Sequence, residues 1–193
     1  MSRPQPFPLA AALRALRTTV VELLGQRRYR DCDSDRPDPG PLVLRRWLVH
    51  YAIMGGMVGL AAATALDYLF KTPGSYVPIY SPIRLLGTVA GLALMYGATV
   101  ALVQRLRKPD KYYATTLLSD WLLLAFLWLL GLTGFVLEAA EYATLGPWVG
   151  VVFLVHITLA FELILLLPFT KLAHLVYRPA AIWFEEFRRE RAG

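Results

Sequence analysis

The stretch 47–66 reads WLVHYAIMGGMVGLAAATAL, twenty positions without a single Asp, Glu, Lys or Arg. As a helix it rises about 30 Å, which matches the hydrocarbon core of a bilayer. Lipid offers the backbone no hydrogen-bonding partner, so a run of this kind is expected to close all its N–H and C=O groups within a helix. Three more stretches follow the same pattern. Residues 85–104 and 121–137 are free of charge, and 147–170 is interrupted only by Glu162. Four spans are therefore predicted.

Composition agrees with this reading. The 193 residues are 56% hydrophobic and 12% aromatic, with a mean hydropathy of +0.47. That is more apolar surface than a soluble domain of this size buries internally, so lipid is an expected partner. A net charge of +6 raises the question of nucleic acid, but the basic residues lie between and outside the apolar runs, and no nucleic-acid partner is expected. Residues 1–46 hold nine of them, the connector after span two holds Arg105, Arg107, Lys108 and Lys111, and five more follow from Lys171 onward. Only Lys71 and Arg84 fall in the other two connectors. If the spans alternate, eighteen of twenty basic residues share one side. The positive-inside bias makes that side the cytoplasm, so both termini are expected there, in a cell's inner membrane. Trp47, Trp121, Trp148, Tyr112 and Tyr113 stand near span ends, as interfacial belts require. No cleavable signal peptide is evident in the opening Met-Ser-Arg-Pro-Gln-Pro.

The predicted fold is thus all-α and integral to the membrane, a four-helix transmembrane bundle preceded by an amphipathic cytoplasmic helix. In the latter, Leu9, Leu13, Leu16, Val20 and Leu23 recur at steps of four and three, with Arg14 and Arg17 beside them. Such a helix lies on the membrane face or against a partner subunit. The expected organisation is 1–43 for this helix and its linker, 44–180 for the bundle and 181–193 for a cytoplasmic tail. Cys32, the single cysteine, falls in the Asp-, Arg- and Pro-rich linker and reads as an incidental thiol; alone it supports no disulfide and no iron–sulfur site. Paired glycines at 55/59, 87/91 and 131/134 place small residues on single helix faces, where backbones approach closely.

The residues able to carry chemistry are few. All three histidines, His50, His156 and His174, lie in or at the ends of apolar spans, where a polar group needs a partner or a function. A structural hydrogen bond is one reading. Ligation is the other: His156 and His174 are 18 residues apart, about five helical turns, and so share one face. His50 sits near the depth of His174 on an antiparallel span, and two facing imidazoles are what a six-coordinate haem needs. Met57, nearly on the face of His50, reads either as packing or as an axial ligand to an outer haem opposite His156. Asp120 beside Ser119 reads as a helix-start residue. Glu162 reads either as a hydrogen bond to a neighbouring helix or as a proton relay.

The run HITLAFELILLLPFTKLAH from His156 to His174, with Ser119-Asp120-Trp121 and the 132–138 stretch LTGFVLE, resembles the respiratory nitrate reductase gamma subunit family. That family includes the cytochrome b subunits of heterodisulfide-reductase-like and sulfite-reduction-associated complexes. The resemblance covers about residues 43–180. It implies a membrane cytochrome b, the quinol-oxidising subunit of a multisubunit oxidoreductase, passing electrons from quinone or menaquinone to a cytoplasmic iron–sulfur subunit. It further implies haem b on His50 and His174, with His156 ligating a second. The sequence departs from that pattern at Leu60, where nitrate reductase members place a histidine, and lacks their additional first helix. Asp67, Lys71 and Glu138, at the outer ends of spans one and three, are the expected quinol site, although Asp67 and Lys71, four apart, also read as a helix-end ion pair; the connector with Tyr76 and Tyr80 reads either as the wall of that site or as an inert loop. A four-helix cytochrome b of formate dehydrogenases or hydrogenases is disfavoured because spans two and three hold no histidine. The alternative from another class is a cofactor-free membrane scaffold or transporter subunit.

Overall fold

The computed structural model describes residues 8–25, 40–70, 77–108, 117–143, 146–169 and 173–192. Lys71, Tyr76, Lys111, Tyr112, Tyr113 and Cys32 lie outside them. Six α-helices are described: α1 (Leu9–Gly25), α2 (Arg46–Phe70), α3 (Pro82–Arg107), α4 (Leu118–Tyr142), α5 (Trp148–Leu166) and α6 (His174–Ala192). Short 3₁₀ turns occupy Leu42–Leu44 and Leu167–Phe169. Four helices, α2, α3, α4 and α5 extended through Phe169, are long and apolar enough to cross a membrane. The protein is an all-helical, multi-pass membrane protein with a separate N-terminal helix.

The spans are longer than their uncharged runs, because local signals rather than charge end them. Pro82 opens α3 in the first turn, where its missing N–H costs nothing and its fixed φ suits a helix. Lys108, at φ 46°, closes it in the left-handed conformation, with Arg105 and Arg107 favourably placed in the last turn. Asp120 takes the expected helix-start position in α4, accepting a hydrogen bond from the Leu117 N–H at 3.2 Å. Pro168 ends the regular part of α5 by removing an N–H, and the chain tightens there into the Leu167–Phe169 turn. Residues from 181 onward, read from sequence as a tail, form most of α6.

By its internal contacts the chain divides into two compact units. The larger, Asp35–Leu165, contains α2 to α4 and α5 as far as Leu165. Its centre is Leu94, Ala98 and Leu127, packed by Ile53, Met57, Leu60, Leu123, Trp128 and Leu163. Between α2 and α3 the contact is close enough to need glycine. A Cβ on Gly56 would stand 2.7 Å from the Leu94 nitrogen and 2.8 Å from the Ala90 oxygen, and one on Gly97 would stand 2.9 Å from the Val49 oxygen. Lipid supplies no hydrophobic drive to join helices, so this close backbone packing is what holds the pair. The carbonyls left over at the turn before α2 are met by α3: the Tyr96 hydroxyl donates to the Val43 oxygen, and the Gln104 amide to that of Leu44. Next, α4 joins α3 through the buried Asp120, which pairs with Arg105 at 3.4 Å, and through the Trp128 indole N–H donating to Thr99 Oγ1 at 3.3 Å. In α5 no residue is buried, as expected of a helix whose surroundings are lipid.

The smaller unit, Met1–Ser34 with Leu166–Gly193, pairs α1 with α6. Small residues Ala11, Ala12 and Ala15 meet Phe187 and Trp183. Trp183 donates its indole N–H to the Ala12 oxygen at 3.2 Å and stacks on Phe187 with ring centres 5.4 Å apart. Arg14 and Glu190 close the pair with an ion pair at 2.6 Å.

Candidate functional site

A part-buried polar contact in the larger unit joins α4 to α5. Thr133 Oγ1 lies 2.9 Å from His156 Nδ1 and 2.8 Å from the Leu129 carbonyl oxygen, with the Leu130 oxygen at 3.1 Å. A hydroxyl has one proton to give, and the carbonyls of its own helix accept it. Its lone pair is then open to the Nδ1–H of His156, the tautomer this geometry favours. That assignment puts the imidazole lone pair on Nε2, the nitrogen able to take a proton or a metal. Gly134 makes the approach possible, since a Cβ there would stand 3.3 Å from His156 Cε1.

Of the other sequence-predicted residues, those described in the larger unit lie apart from this contact. His50 is half-buried in the second turn of α2, and His174 is the exposed first residue of α6. They belong to different compact units. Met57 packs on the Leu94–Leu127 cluster, and Leu60 packs there too. Glu162 is on the exposed surface of α5, and Asp67 is half-buried near the end of α2. Glu138 accepts a hydrogen bond from the Thr88 hydroxyl at 2.6 Å. One turn further, Glu141 pairs with Arg84 at 3.2 Å, and the Arg84 guanidinium lies 5.6 Å from the centre of the Tyr142 ring. Lys71 is outside the described residues. Glu138 thus braces α3 against α4 at one end of the bundle, as Asp120 does at the other. Among the described residues there is no group of three or more His, Cys, Asp or Glu placed to hold a metal ion.

Sequence reasoning passed over Thr133, Thr88 and Glu141. Threonines inside apolar helices usually bond their own preceding turn, as Thr133 and Thr88 also do here. Their second bonds, across to another helix, leave no trace in spacing along one helix. The adjacency of Thr133 to Gly134 was the one available signal.

The class defined by these features is a multi-pass helical membrane protein whose charged groups join helices at their ends and whose centre is aliphatic. A family model described as Citrate utilization protein B matches residues 3–193, and the chain belongs to that family. Citrate utilization protein B of Escherichia coli is 30% identical over 192 residues, which cover 96% of this chain and 48% of that protein. The chain thus spans about half the length of the curated relative it matches. No solved structure matches.

Family membership corrects the resemblance drawn from the His156–His174 run. The chain is not a member of the nitrate reductase gamma group, and its reading as a cytochrome b passing electrons between quinone and an iron–sulfur subunit is withdrawn, together with the respiratory role. The physical reason is that an apolar helix draws on few residue types. Two histidines five turns apart and a proline near the membrane boundary arise in unrelated spans, where each can serve a local need. Thr133 meets such a need for His156.

Proposed function

We propose that this chain is the membrane-embedded scaffold of a citrate utilization system, holding its other components at the bilayer. The reading draws on the family, whose name refers to citrate utilization, and on one structural observation. The centre of the larger unit is filled by Leu94, Ala98, Leu127 and the aliphatic and aromatic side chains around them. A tricarboxylate crossing such a bundle needs a polar, cation-lined cavity at mid-depth, because a charge in hydrocarbon is costly without one. Arg84 and Arg105, the arginines bonded between helices here, sit at span ends and are already paired with Glu141 and Asp120. A scaffold role therefore fits better than a conduit. Purified protein in sealed vesicles is expected to pass no radiolabelled citrate above the rate of empty vesicles. Uptake that saturates with citrate concentration would overturn the scaffold reading in favour of a transporter.

The finer topology belongs to the same proposal. Both termini are placed in the cytoplasm and the spans in the cytoplasmic membrane, supported by the eighteen-to-two division of basic residues.

Haem b is proposed separately, as a cofactor of the scaffold. Its support is the geometry of His156: the hydrogen bond from Nδ1 to Thr133 is the kind of outer contact that orients a ligating imidazole, and it leaves Nε2 as the ligating atom. A reduced-minus-oxidised spectrum of the purified protein is expected to show a b-type band that His156→Ala removes. A colourless wild-type protein, or a band indifferent to His156→Ala, would dismiss the assignment.

A further inference from the structure

In α1 the alanine face and the leucine face do different work. Ala11, Ala12, Ala15 and Thr19 are buried within the smaller unit, whose core also holds Phe187 and Trp183 of α6. Most of the leucine stripe is left out of that contact: exposure runs from 43% at Val20 to 65% at Leu24, with Leu9, Leu13 and Leu16 between, while Leu23, at the edge nearest the alanine face, is half-buried. At 100° per residue, Leu9, Leu13, Leu16, Val20, Leu23 and Leu24 fall within an arc of about 100°. Arg17 borders the arc directly, with Arg14 beyond it, and Thr18 lies on the opposite side of the helix.

We propose that this stripe is a lipid-docking face, and that α1 lies in the headgroup region of an anionic membrane with its leucines in the acyl boundary. Three observations select lipid as the occupant. The stripe is purely aliphatic, which suits acyl chains and gives a protein partner nothing directional to recognise. Its edge carries arginine, and α1 and α6 together hold six arginines against four glutamates, a charge complementary to anionic headgroups. The smaller unit also contains Leu166–Phe169, the end of the fourth membrane-length helix, with Phe169 84% exposed. The unit therefore includes a membrane boundary of its own. Pairing with α6 then has a clear role: it covers the small-residue face, so that the leucine stripe is the main apolar surface α1 presents, with Val21 exposed between the two arginines.

The full chain carrying Cys32→Ser is given one new cysteine at a time, Leu13→Cys, Val20→Cys or Thr18→Cys, labelled with an environment-sensitive fluorophore and reconstituted into phosphatidylcholine vesicles containing phosphatidylglycerol. Shallow spin-labelled lipids are expected to quench the probes at 13 and 20 at least about twofold more than the probe at 18, while aqueous iodide does the reverse. Raising the phosphatidylglycerol fraction should strengthen lipid quenching at 13. Two stripe positions guard against a single variant that misfolds. Iodide quenching at 13 and 20 equal to that at 18 would mean a solvated face and overturn the proposal. Probes there that escape both quenchers would mean a protein cover, including a second copy of this chain, and overturn it equally.

Discussion

Gly56→Ala is expected to cost on the order of 3 kcal/mol of bundle stability, the upper end for inserting a methyl into a packed core. The new carbon would stand 2.7 Å from the Leu94 nitrogen, 2.8 Å from the Ala90 oxygen and 2.8 Å from Leu94 Cβ. Two of those three atoms are helix backbone, which cannot swing aside as a side-chain end can. The helices must separate, and the Gly59 and Gly97 contacts along the same seam separate with them. Gly55→Ala is the matched control. Nothing lies within 4 Å of its would-be Cβ, and alanine favours the helix, so its effect should stay within about 0.5 kcal/mol. Reversible unfolding in mixed detergent micelles reads both. Equal effects at 55 and 56 would show that α2 and α3 do not meet along this seam. Gly131 offers a graded comparison, because what a Cβ there would meet is the flexible Met95 side chain.

The second large effect is an all-or-none difference in labelling. In a Cys32→Ser background, a membrane-impermeant thiol reagent added to intact cells should modify a cysteine at Ala143 and leave cysteines at Pro109 and Ala192 untouched. Ala143 follows α4 directly, on the connector side that bears few basic residues. Position 109 follows Arg105, Arg107 and Lys108, and 192 follows a run with Arg188, Arg189 and Arg191. Each positive charge resists translocation, so the basic connectors are held inside. Permeabilised cells should label all three, which separates topology from steric protection. Labelling of 109 or 192 from outside would invert or break the four-span arrangement.

What could be read from the chain before its structure was known follows from how far each signal reaches. Apolar runs reveal spans because a bilayer imposes one length on all of them, and 47–66, 85–104, 121–137 and 147–170 each lie within or nearly within a helix. Their true ends are longer, since Asp67, Arg84, Arg105 and Glu138 lie at the boundary and are tolerated there. The glycine pairs pointed to close packing, but spacing did not say which glycine bears it. Gly56, outside the paired set, makes the tightest backbone approach on α2, while Gly55 faces open space. The polar pairs were less legible still. Asp120 showed itself as a helix-start residue through its neighbours in sequence, yet its partner Arg105 is fifteen residues away on another helix. Thr133 and His156, or Thr88 and Glu138, meet only once two helices are placed side by side. The histidines drew attention for a sound reason, their cost in lipid, but the resemblance built on their spacing named the wrong family. Three polar residues in a long apolar sequence constrain chemistry weakly, whereas the whole 3–193 pattern constrains ancestry strongly.

The proposed function requires that this chain serve citrate utilization. The direct measurement is citrate consumption by a citrate-using strain from which the coding sequence for these 193 residues has been removed. The expected result is that citrate disappearance from the medium stops, growth on another carbon source continues, and the wild-type chain supplied from a plasmid restores consumption while Gly56→Ala restores it poorly. Undiminished citrate consumption in the deleted strain would contradict the account.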